Sequence, residues 1–306
     1  MRPREIERST KIDAGLKSFH SEIRRLPGIA RKGRHDALVE QIIESMRRID
    51  FVAVISSRQI SSLRADPSSD LFDPIRAAAL YRQKGNVDEA CWLVFLSVHF
   101  GKHLRTGWRL ARAIYGGRNS GVWTWQRVSS DPRAFRRWLA ANQTQLKASG
   151  MFGNHRKYQS LDAQKPVGTG AAIESYVRWI NPPRNHAGLF RDAGSATRGD
   201  RRQMFDWLYK SMENSVISFS RLSCFDYLTM LGKLNLASIE PGSVYINGAT
   251  GPYDGGKLLF GGNPSRMQVG TRLVQLADHL GVGMQVIEDA VCNWQKSPDQ
   301  FRGYRG

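Results

Sequence analysis

Residues 90–100 are the most constraining feature of the sequence, because they form an almost unbroken apolar stretch. The stretch is longer than a typical strand, which favours a helix. Asp88 stands just before it, as a helix cap would, and Gly101 follows it. A helix that is apolar on most of its faces must be surrounded by other elements. We therefore expect one central, buried helix with the rest of the chain packed around it.

The other apolar residues recur at spacings of three and four, which indicates helices rather than strands. The turn cluster at 66–70 and the glycine-rich segments separate them, and Asp73-Pro74 supplies a cap and a first helical residue. Residues 243–246 give one weak, short strand signal. We expect an all-α protein with helices at 36–63, 74–83, 88–100, 107–115, 131–148, 170–180, 201–212, 224–233, 254–260, 264–280 and 284–294.

The charge of the chain points to a polyanionic partner. There are 45 lysines and arginines against 27 acidic residues, a formal net charge of +18 over 306 residues. These basic residues are spread along the chain, whereas a disordered basic tail would concentrate them. Lysine and arginine gain affinity for nucleic acid by neutralising its phosphates, and arginine does so with bidentate contacts. We expect a DNA-binding face, with an acidic membrane surface as the alternative.

Several classes of protein are excluded by what the sequence lacks. No apolar run reaches the 18 residues of a membrane span, and the charged residues 1–10 are unlike a secretory signal, so we expect a cytoplasmic protein. The three cysteines form no C-x-x-C pair, which argues against a zinc site or an iron–sulfur cluster. His99 and His103 have a zinc-like spacing, but the intervening glycine indicates a polar loop. We expect no metal and no cofactor.

Four further stretches combine glycine, aromatic and polar residues: 93–103, 150–158, 219–228 and 248–260. In their order they resemble the all-α DNA glycosylases of the endonuclease III type. In that family a helix-end loop fills the gap left by an extruded base, a later turn wedges into the duplex, a hairpin holds phosphate, and an aspartate faces the deoxyribose. The resemblance implies a helix-hairpin-helix DNA glycosylase-like fold, with two helical lobes around a basic cleft.

The same resemblance implies that residues 1–70 are an N-terminal helical extension and that residues 71–306 are the glycosylase-like domain. The hairpin lysine of the lyase-type members is not present in the stretch 219–228, where Leu228 or a neighbour stands. The cluster cysteines of the family are also missing. A monofunctional enzyme that uses water is therefore the implied type.

A closer resemblance rests on three long strings: FDPIRAA at 72–78, DEACWLVFLSVHFGKH at 88–103 and GNPSRMQVGTRL at 262–273. They are similar to the α-glutamyl/putrescinyl thymine pyrophosphorylases, glycosylase-related proteins tied to hypermodified phage DNA bases. One member type is a phage-defence glycosylase for α-glucosylated hydroxymethylcytosine. The resemblance implies an enzyme that flips out and excises such a base from double-stranded phage DNA and leaves an abasic site. We expect it to act as a monomer.

Cleavage of an N-glycosidic bond develops positive charge on the sugar, which a nearby carboxylate stabilises while it orients the attacking water. Asp254, at the start of a predicted helix, is the first candidate for this acid, and Asp226 is the second. The plain alternatives are a helix cap for Asp254 and a surface ion pair for Asp226. We expect one of the two to act on the sugar.

A flipped base needs a pocket with aromatic and polar walls. The expected aromatic walls are Trp92 and Tyr253, each of which is equally credible as a core residue. The expected polar lining is His99, His103, Asn154, His155 and Asn247. The expected contacts with the DNA backbone are Lys102, Arg156, Lys157, Arg221, Lys257 and Arg266. Two other functions stay open: a transferase or pyrophosphorylase acting on activated 5-hydroxymethylpyrimidines in DNA, and a DNA-binding protein without catalysis.

Overall fold

The computed structural model describes residues 3–303. Within this range the chain is all-helical and has no strand, which confirms the all-α prediction, and residues 243–246 lie in a loop. In chain order the fifteen α-helices are α1 (Pro3–Ser18), α2 (Lys32–Ser57), α3 (Pro74–Gln83), α4 (Val87–Phe100), α5 (Arg109–Gly116), α6 (Trp125–Ser130), α7 (Pro132–Ala141), α8 (Gln143–Ser149), α9 (Thr169–Ile180), α10 (His186–Ala196), α11 (Arg201–Ser215), α12 (Arg221–Lys233), α13 (Thr250–Phe260), α14 (Arg266–Leu280) and α15 (Met284–Trp294). None of these helices combines the length and the apolar content that crossing a bilayer requires.

The described chain divides into two compact units. One unit, which we call the terminal unit, joins residues 3–52 with residues 241–303, and the other, the central unit, comprises residues 53–240. The sequence suggests a single boundary at residue 70 instead. The difference arises because the last three helices complete the hydrophobic core that the first two helices begin.

Helix α4 is the centre of the central unit, as its apolar sequence predicts. Every residue from Glu89 to Phe100 is buried. The helix is capped by Asn86, whose side-chain oxygen accepts from the Glu89 N–H at 3.1 Å, and it ends at Gly101 with φ of 65°. The expectation that Asp88 is the cap is therefore wrong. Its carboxylate accepts hydrogen bonds from His186 instead.

Several helix boundaries differ from the predicted ones. The predicted helix 131–148 is two helices, because the chain breaks at Asn142. The helices α1, α6 and α10 have no counterpart among the predicted ones. Helix α13 begins at Thr250 after Ala249 as its cap, four residues earlier than predicted. Asp254 thus lies in the second turn of α13, so the expectation that it stands at the start of this helix is wrong. The reading of Asp254 as a helix cap is wrong for the same reason.

The terminal unit packs its helices closely through glycine. A Cβ atom on Gly255 would lie 2.3 Å from the carbonyl oxygen of Val291, so α13 and α15 touch backbone to backbone at this point. A Cβ atom on Gly28 would likewise lie 2.1 Å from the carbonyl oxygen of Leu258. No side chain fits between backbones at these distances. The position of α13, and of the side chains on its outer face, is therefore fixed from two sides.

Candidate active site

Three of the stretches that the sequence singles out meet in the central unit. The Gly153 N–H donates to the Phe100 carbonyl at 2.8 Å, so the glycine turn sits against the end of α4. Arg156 Nε donates to the Val98 carbonyl at 2.6 Å, and Arg156 Nη2 donates to Asp226 on α12 at 2.9 Å. We call this meeting point the three-segment junction.

The ion pair at the junction neutralises both of its members. The Arg156 side chain is 7% exposed and the Asp226 side chain is 39% exposed. A buried guanidinium needs an anion close by, because leaving it without one is costly. Asp226 supplies that anion, and Arg156 is enclosed in the protein rather than offered to a phosphate. The geometry therefore fits the ion-pair reading of Asp226, with one member of the pair buried.

His99 lies inside the junction as a neutral, buried ring. It is 1% exposed and lies parallel to Phe95 and Phe219. The Thr169 hydroxyl donates its one proton to the Ser160 carbonyl at 2.9 Å, so it accepts from His99 Nε2 at 3.0 Å. His99 Nδ1 has no partner within the described residues. Burial, with the nearby Arg156 charge, lowers the pKa of His99 to about 3.

We expect His99 to make the folded state less stable in acid. The unfolded chain takes up a proton near the ordinary pKa of 6.5, whereas the folded chain does so only near 3. Stability that is present at neutral pH is therefore lost as the pH falls below 6.5, by about 2 kcal/mol at about pH 5. Replacing His99 with phenylalanine should remove this part of the pH dependence in urea unfolding.

The matched control is His103→Phe, which changes a histidine on the half-buried loop beside the junction. Unfolded in urea at about pH 7 and about pH 5 beside the wild type and His99→Phe, it shows what the loss of a histidine outside the buried junction does to the same measurement. A His99→Phe variant with the full wild-type pH dependence would show that His99 is not the group responsible.

Two further predicted site residues are interior residues. Trp92 is fully buried and donates from Nε1 to the Trp123 carbonyl at 2.8 Å, and it stacks on Phe95. Arg221 is 7% exposed, with its guanidinium 4.9 Å from the ring centre of Phe225. These positions favour the core reading of Trp92 over a pocket wall. They also leave little of Arg221 for a DNA phosphate.

The loops around the junction carry exposed cations and exposed apolar side chains. Lys102, His155 and Lys157 lie in these loops, and all three side chains are exposed. His103 and Gly107 form an isolated bridge that closes a tight turn, with Leu104 at its tip. Leu104 is 77% exposed, and the nearby Met151 and Tyr158 are also exposed. Asn154 begins a short 3₁₀ turn, and its side chain lies outside what the structure describes.

The remaining residues that the sequence predicts for the site belong to the terminal unit, and two of them, Lys257 and Arg266, contact the ring of Tyr253. The Arg266 guanidinium lies 4.3 Å and the Lys257 ammonium 5.4 Å from the centre of the Tyr253 ring. Arg266 also donates to the Ala249 carbonyl at 2.7 Å, and the Tyr253 hydroxyl donates to the Pro264 carbonyl at 3.1 Å. We call Tyr253, Lys257 and Arg266 the Tyr253 cluster. Asn247, another expected pocket residue, is exposed in the loop before α13.

Asp254 follows Tyr253 on the exposed side of α13. Among residues 3–303 it makes no hydrogen bond and no ion pair, although two cations lie on the neighbouring ring. Its carboxylate therefore stays open to a ligand, whereas the Asp226 carboxylate is already paired. This difference separates the two candidate acids.

Sequence reasoning misses a polar network in the central unit. Asp88 accepts from His186 Nδ1 at 2.6 Å, His186 Nε2 meets the Tyr176 hydroxyl at 2.7 Å, and Tyr176 meets the Tyr227 hydroxyl at 2.9 Å. Burial lowers the pKa of His186 and keeps the ring neutral, even beside a carboxylate. The network ties α9, α10 and α12 to α4. No motif announces it, because its members are far apart in the sequence.

Glu89, next to Asp88, forms a second part of this polar interior. Its carboxylate accepts from the Tyr115 hydroxyl at 2.6 Å and from the Trp125 N–H at 2.7 Å. Burial raises the pKa of Glu89 above its ordinary value. Asp88 and Glu89 both border a groove of about 560 Å³. The two hydrogen bonds give Glu89 a structural role in holding α5 and α6 on α4.

Comparison with known proteins gives one match. The family model described as "Alpha-glutamyl/putrescinyl thymine pyrophosphorylase clade 3" matches residues 33–306. Neither the curated proteins nor the solved structures give a match to the chain. The matched range contains the three-segment junction, the Tyr253 cluster and Asp254. The chain belongs to the α-glutamyl/putrescinyl thymine pyrophosphorylase family, clade 3, whose name is that of an enzyme acting on modified thymine.

Proposed function

We propose that this protein is a DNA N-glycosylase that excises a hypermodified pyrimidine, with Asp254 as the carboxylate that acts on the sugar. The observation that carries the proposal is the open Asp254 carboxylate beside the Tyr253 cluster, in a chain of net charge +18. Membership of a family named for modified thymine supports a modified base as the target. The cationic surface supports DNA as the partner.

In the proposed reaction a water molecule adds to C1′ of the nucleotide, and the bond between C1′ and the base nitrogen breaks. The electron pair of that bond leaves with the base, which takes up a proton, and the sugar keeps the hydroxyl of the water. Positive charge develops on the sugar ring during this step, and an ionised carboxylate stabilises it. Asp254 is suited to this role because no cation of the described chain neutralises it.

The exposed turn at Leu104 fits the extrusion of a base from a duplex. Apolar side chains that insert between base pairs stabilise a distorted duplex, and cations beside them hold the phosphates. Leu104 is 77% exposed, with the exposed Lys102 and Arg105 near it in the same loop. The backbone bonds between His103 and Gly107, at 3.1 and 2.8 Å, keep the turn closed. Leu104 therefore presents an apolar tip on a cationic loop.

Replacing Leu104 with alanine should slow base release from double-stranded DNA by about 10- to 100-fold. Release from single-stranded DNA should change little, because the base has no pairing partner from which it must be separated. The measurement is the rate of base release from matched duplex and single-stranded oligonucleotides. Leu63→Ala removes a leucine that is 47% exposed elsewhere in the central unit, and it should leave both rates unchanged.

The decisive experiment incubates the purified protein with DNA that carries α-glucosylated hydroxymethylcytosine, hydroxymethylcytosine or unmodified bases. Mass spectrometry of the released small molecules, together with alkaline cleavage at abasic sites, detects glycosylase activity. Free modified base with matching abasic sites is the expected result. Intact glycosidic bonds in every substrate would contradict the proposal.

The name of the matched family favours one second candidate, transfer to or from an activated pyrimidine with release of pyrophosphate. Pyrophosphate in the reaction mixture, with all bases retained, would identify that activity. DNA binding without any product would identify a binding protein without catalysis.

We propose that the glycosylase is a monomer and that it acts in the cytoplasm. Its target is phage DNA, so its role is antiviral defence.

A further inference from the structure

A groove of about 670 Å³ lies in the central unit, apart from the residues discussed above. Its floor is one face of α5, where Ala113 and Gly116 are small, and its walls are the turn at 66–68 and the loop at 118–122. The turn packs directly on the helix, because a Cβ atom on Gly116 would lie 3.0 Å from Pro67. The lining contains no aromatic ring, so it offers no stacking surface for a base.

Three arginines surround this groove: Arg109, Arg112 and Arg118. Arg112 is held within the protein, since it donates to Asp70 at 2.5 Å and to the Ser69 carbonyl at 3.0 Å. Arg109 and Arg118 are exposed, and within residues 3–303 their guanidinium groups make no hydrogen bond and no ion pair. We call these three residues and the groove between them the arginine groove.

The arginine groove has one acidic residue in its lining, and that residue is occupied locally. Asp66 accepts from the Ser68 N–H at 2.8 Å and from the Ser68 hydroxyl at 2.7 Å. Arg118 stands at the rim with φ of 51°, in a loop that the Trp123 N–H closes by donating to the Tyr115 carbonyl at 2.7 Å. The groove is therefore concave, net positive and lined by free arginine donors.

We propose that the arginine groove binds phosphodiester groups of the DNA strand, an inference that rests on DNA as the substrate of the proposed function. Arginine suits this ligand because its planar guanidinium donates two parallel hydrogen bonds to a phosphate. The groove begins at Arg109, two residues after the turn that carries Leu104 closes at Gly107. It supplies exposed guanidinium groups, whereas Arg156 and Arg221 are buried.

The test uses the full chain with Arg109→Ala and Arg118→Ala combined. Each phosphate contact with duplex DNA contributes about 0.9 to the slope of log K against log salt concentration, so the slope should fall in magnitude by about 2. Fluorescence anisotropy with duplex DNA over a salt series measures slope and affinity together. We expect affinity at low salt to fall by at least about tenfold.

The matched control combines Arg133→Ala with Arg191→Ala, which removes two exposed arginines of the same unit outside the groove that have no hydrogen bond or ion pair from their side chains within the described range 3–303. It should leave the slope within error of the wild type. A third variant, Arg109→Lys with Arg118→Lys, retains the charges and should retain most of the slope. An unchanged thermal midpoint in all variants shows that each of them is folded. A groove variant with the slope and affinity of the control would overturn the proposal.

Two further arms separate the possible explanations. Inorganic phosphate could raise the thermal midpoint of the wild type but not of the groove variant, while the salt slope of DNA binding is the same in both proteins. In that case the groove binds free phosphate and the proposal fails.

Base release at saturating DNA is measured on the same proteins. A reduced slope without any base release would contradict the proposed function and support the groove. Base release with an unchanged slope would contradict the groove alone.

Discussion

Replacing Asp254 with asparagine should lower base release by about a thousandfold, because the neutral amide cannot stabilise the positive charge on the sugar. Binding of the DNA should be kept, since asparagine occupies the same volume and the Tyr253 cluster is untouched. The measurement is single-turnover release of the modified base at saturating enzyme. It separates the chemical step from binding and from product release.

Two other aspartates serve as controls for this result. Asp278→Asn changes an exposed acid on α14 of the same unit and should leave the rate unchanged. Asp226→Asn leaves the buried Arg156 without its anion, so it should lower the free energy of unfolding by about 1–3 kcal/mol. The folded fraction should still release base. Full activity of Asp254→Asn, with loss of activity only in Asp226→Asn, would transfer the catalytic role to Asp226.

Replacing Gly255 with alanine should destabilise the protein by about 2–3 kcal/mol, the cost typical of forcing an extra methyl into a packed core. In an ordinary helix the same change stabilises by about 1 kcal/mol, so the sign itself is informative. The reason is the carbonyl oxygen of Val291, which would lie 2.3 Å from the new methyl carbon. Because α13 must shift to relieve this contact, Asp254 moves with it and base release should also fall.

Gly283→Ala is the matched control for Gly255→Ala. Gly283 has an ordinary φ of −69°, and a Cβ atom added to it would have no atom of another residue within 4 Å, its chain neighbours aside. Urea unfolding of the two variants beside the wild type checks the prediction. A Gly255→Ala protein as stable as the wild type would show that α13 and α15 are not in the tight backbone contact described above.

The parts of the fold that local sequence determines could be predicted. The apolar stretch at 90–100 gives α4 and its burial, and Asp73-Pro74 gives the start of α3, where the Asp73 carboxylate accepts from the Ile75 N–H at 3.0 Å. The order of polar stretches also points to the segments that meet at the three-segment junction. Each of the two helix signals lies within a few residues, so periodicity and capping are enough to find it. The grouping of the three distant stretches comes instead from the resemblance of their order to that of the all-α DNA glycosylases.

The parts that depend on distant residues could not be predicted. Arg156 and Asp226 are 70 positions apart, and Asp88 and His186 are 98 apart, so no spacing relates them. Asp88 therefore reads as a helix cap, although it serves a buried histidine. The division into units is missed for the same reason, because contacts between the two ends of a chain leave no local pattern.

The discontinuity of the terminal unit has a consequence during translation. Residues 53–240 leave the ribosome as one uninterrupted segment and can begin to associate as they emerge. Helix α1 and most of α2 are made before this segment and their partners α13–α15 after it, a delay of roughly 10–40 s at typical rates of synthesis. During that interval Leu16, Phe19 and Leu38 lack the part of their hydrophobic core that α13–α15 supply. Nascent chains of this protein are therefore expected to depend on chaperones mainly through the segment that contains α1 and most of α2.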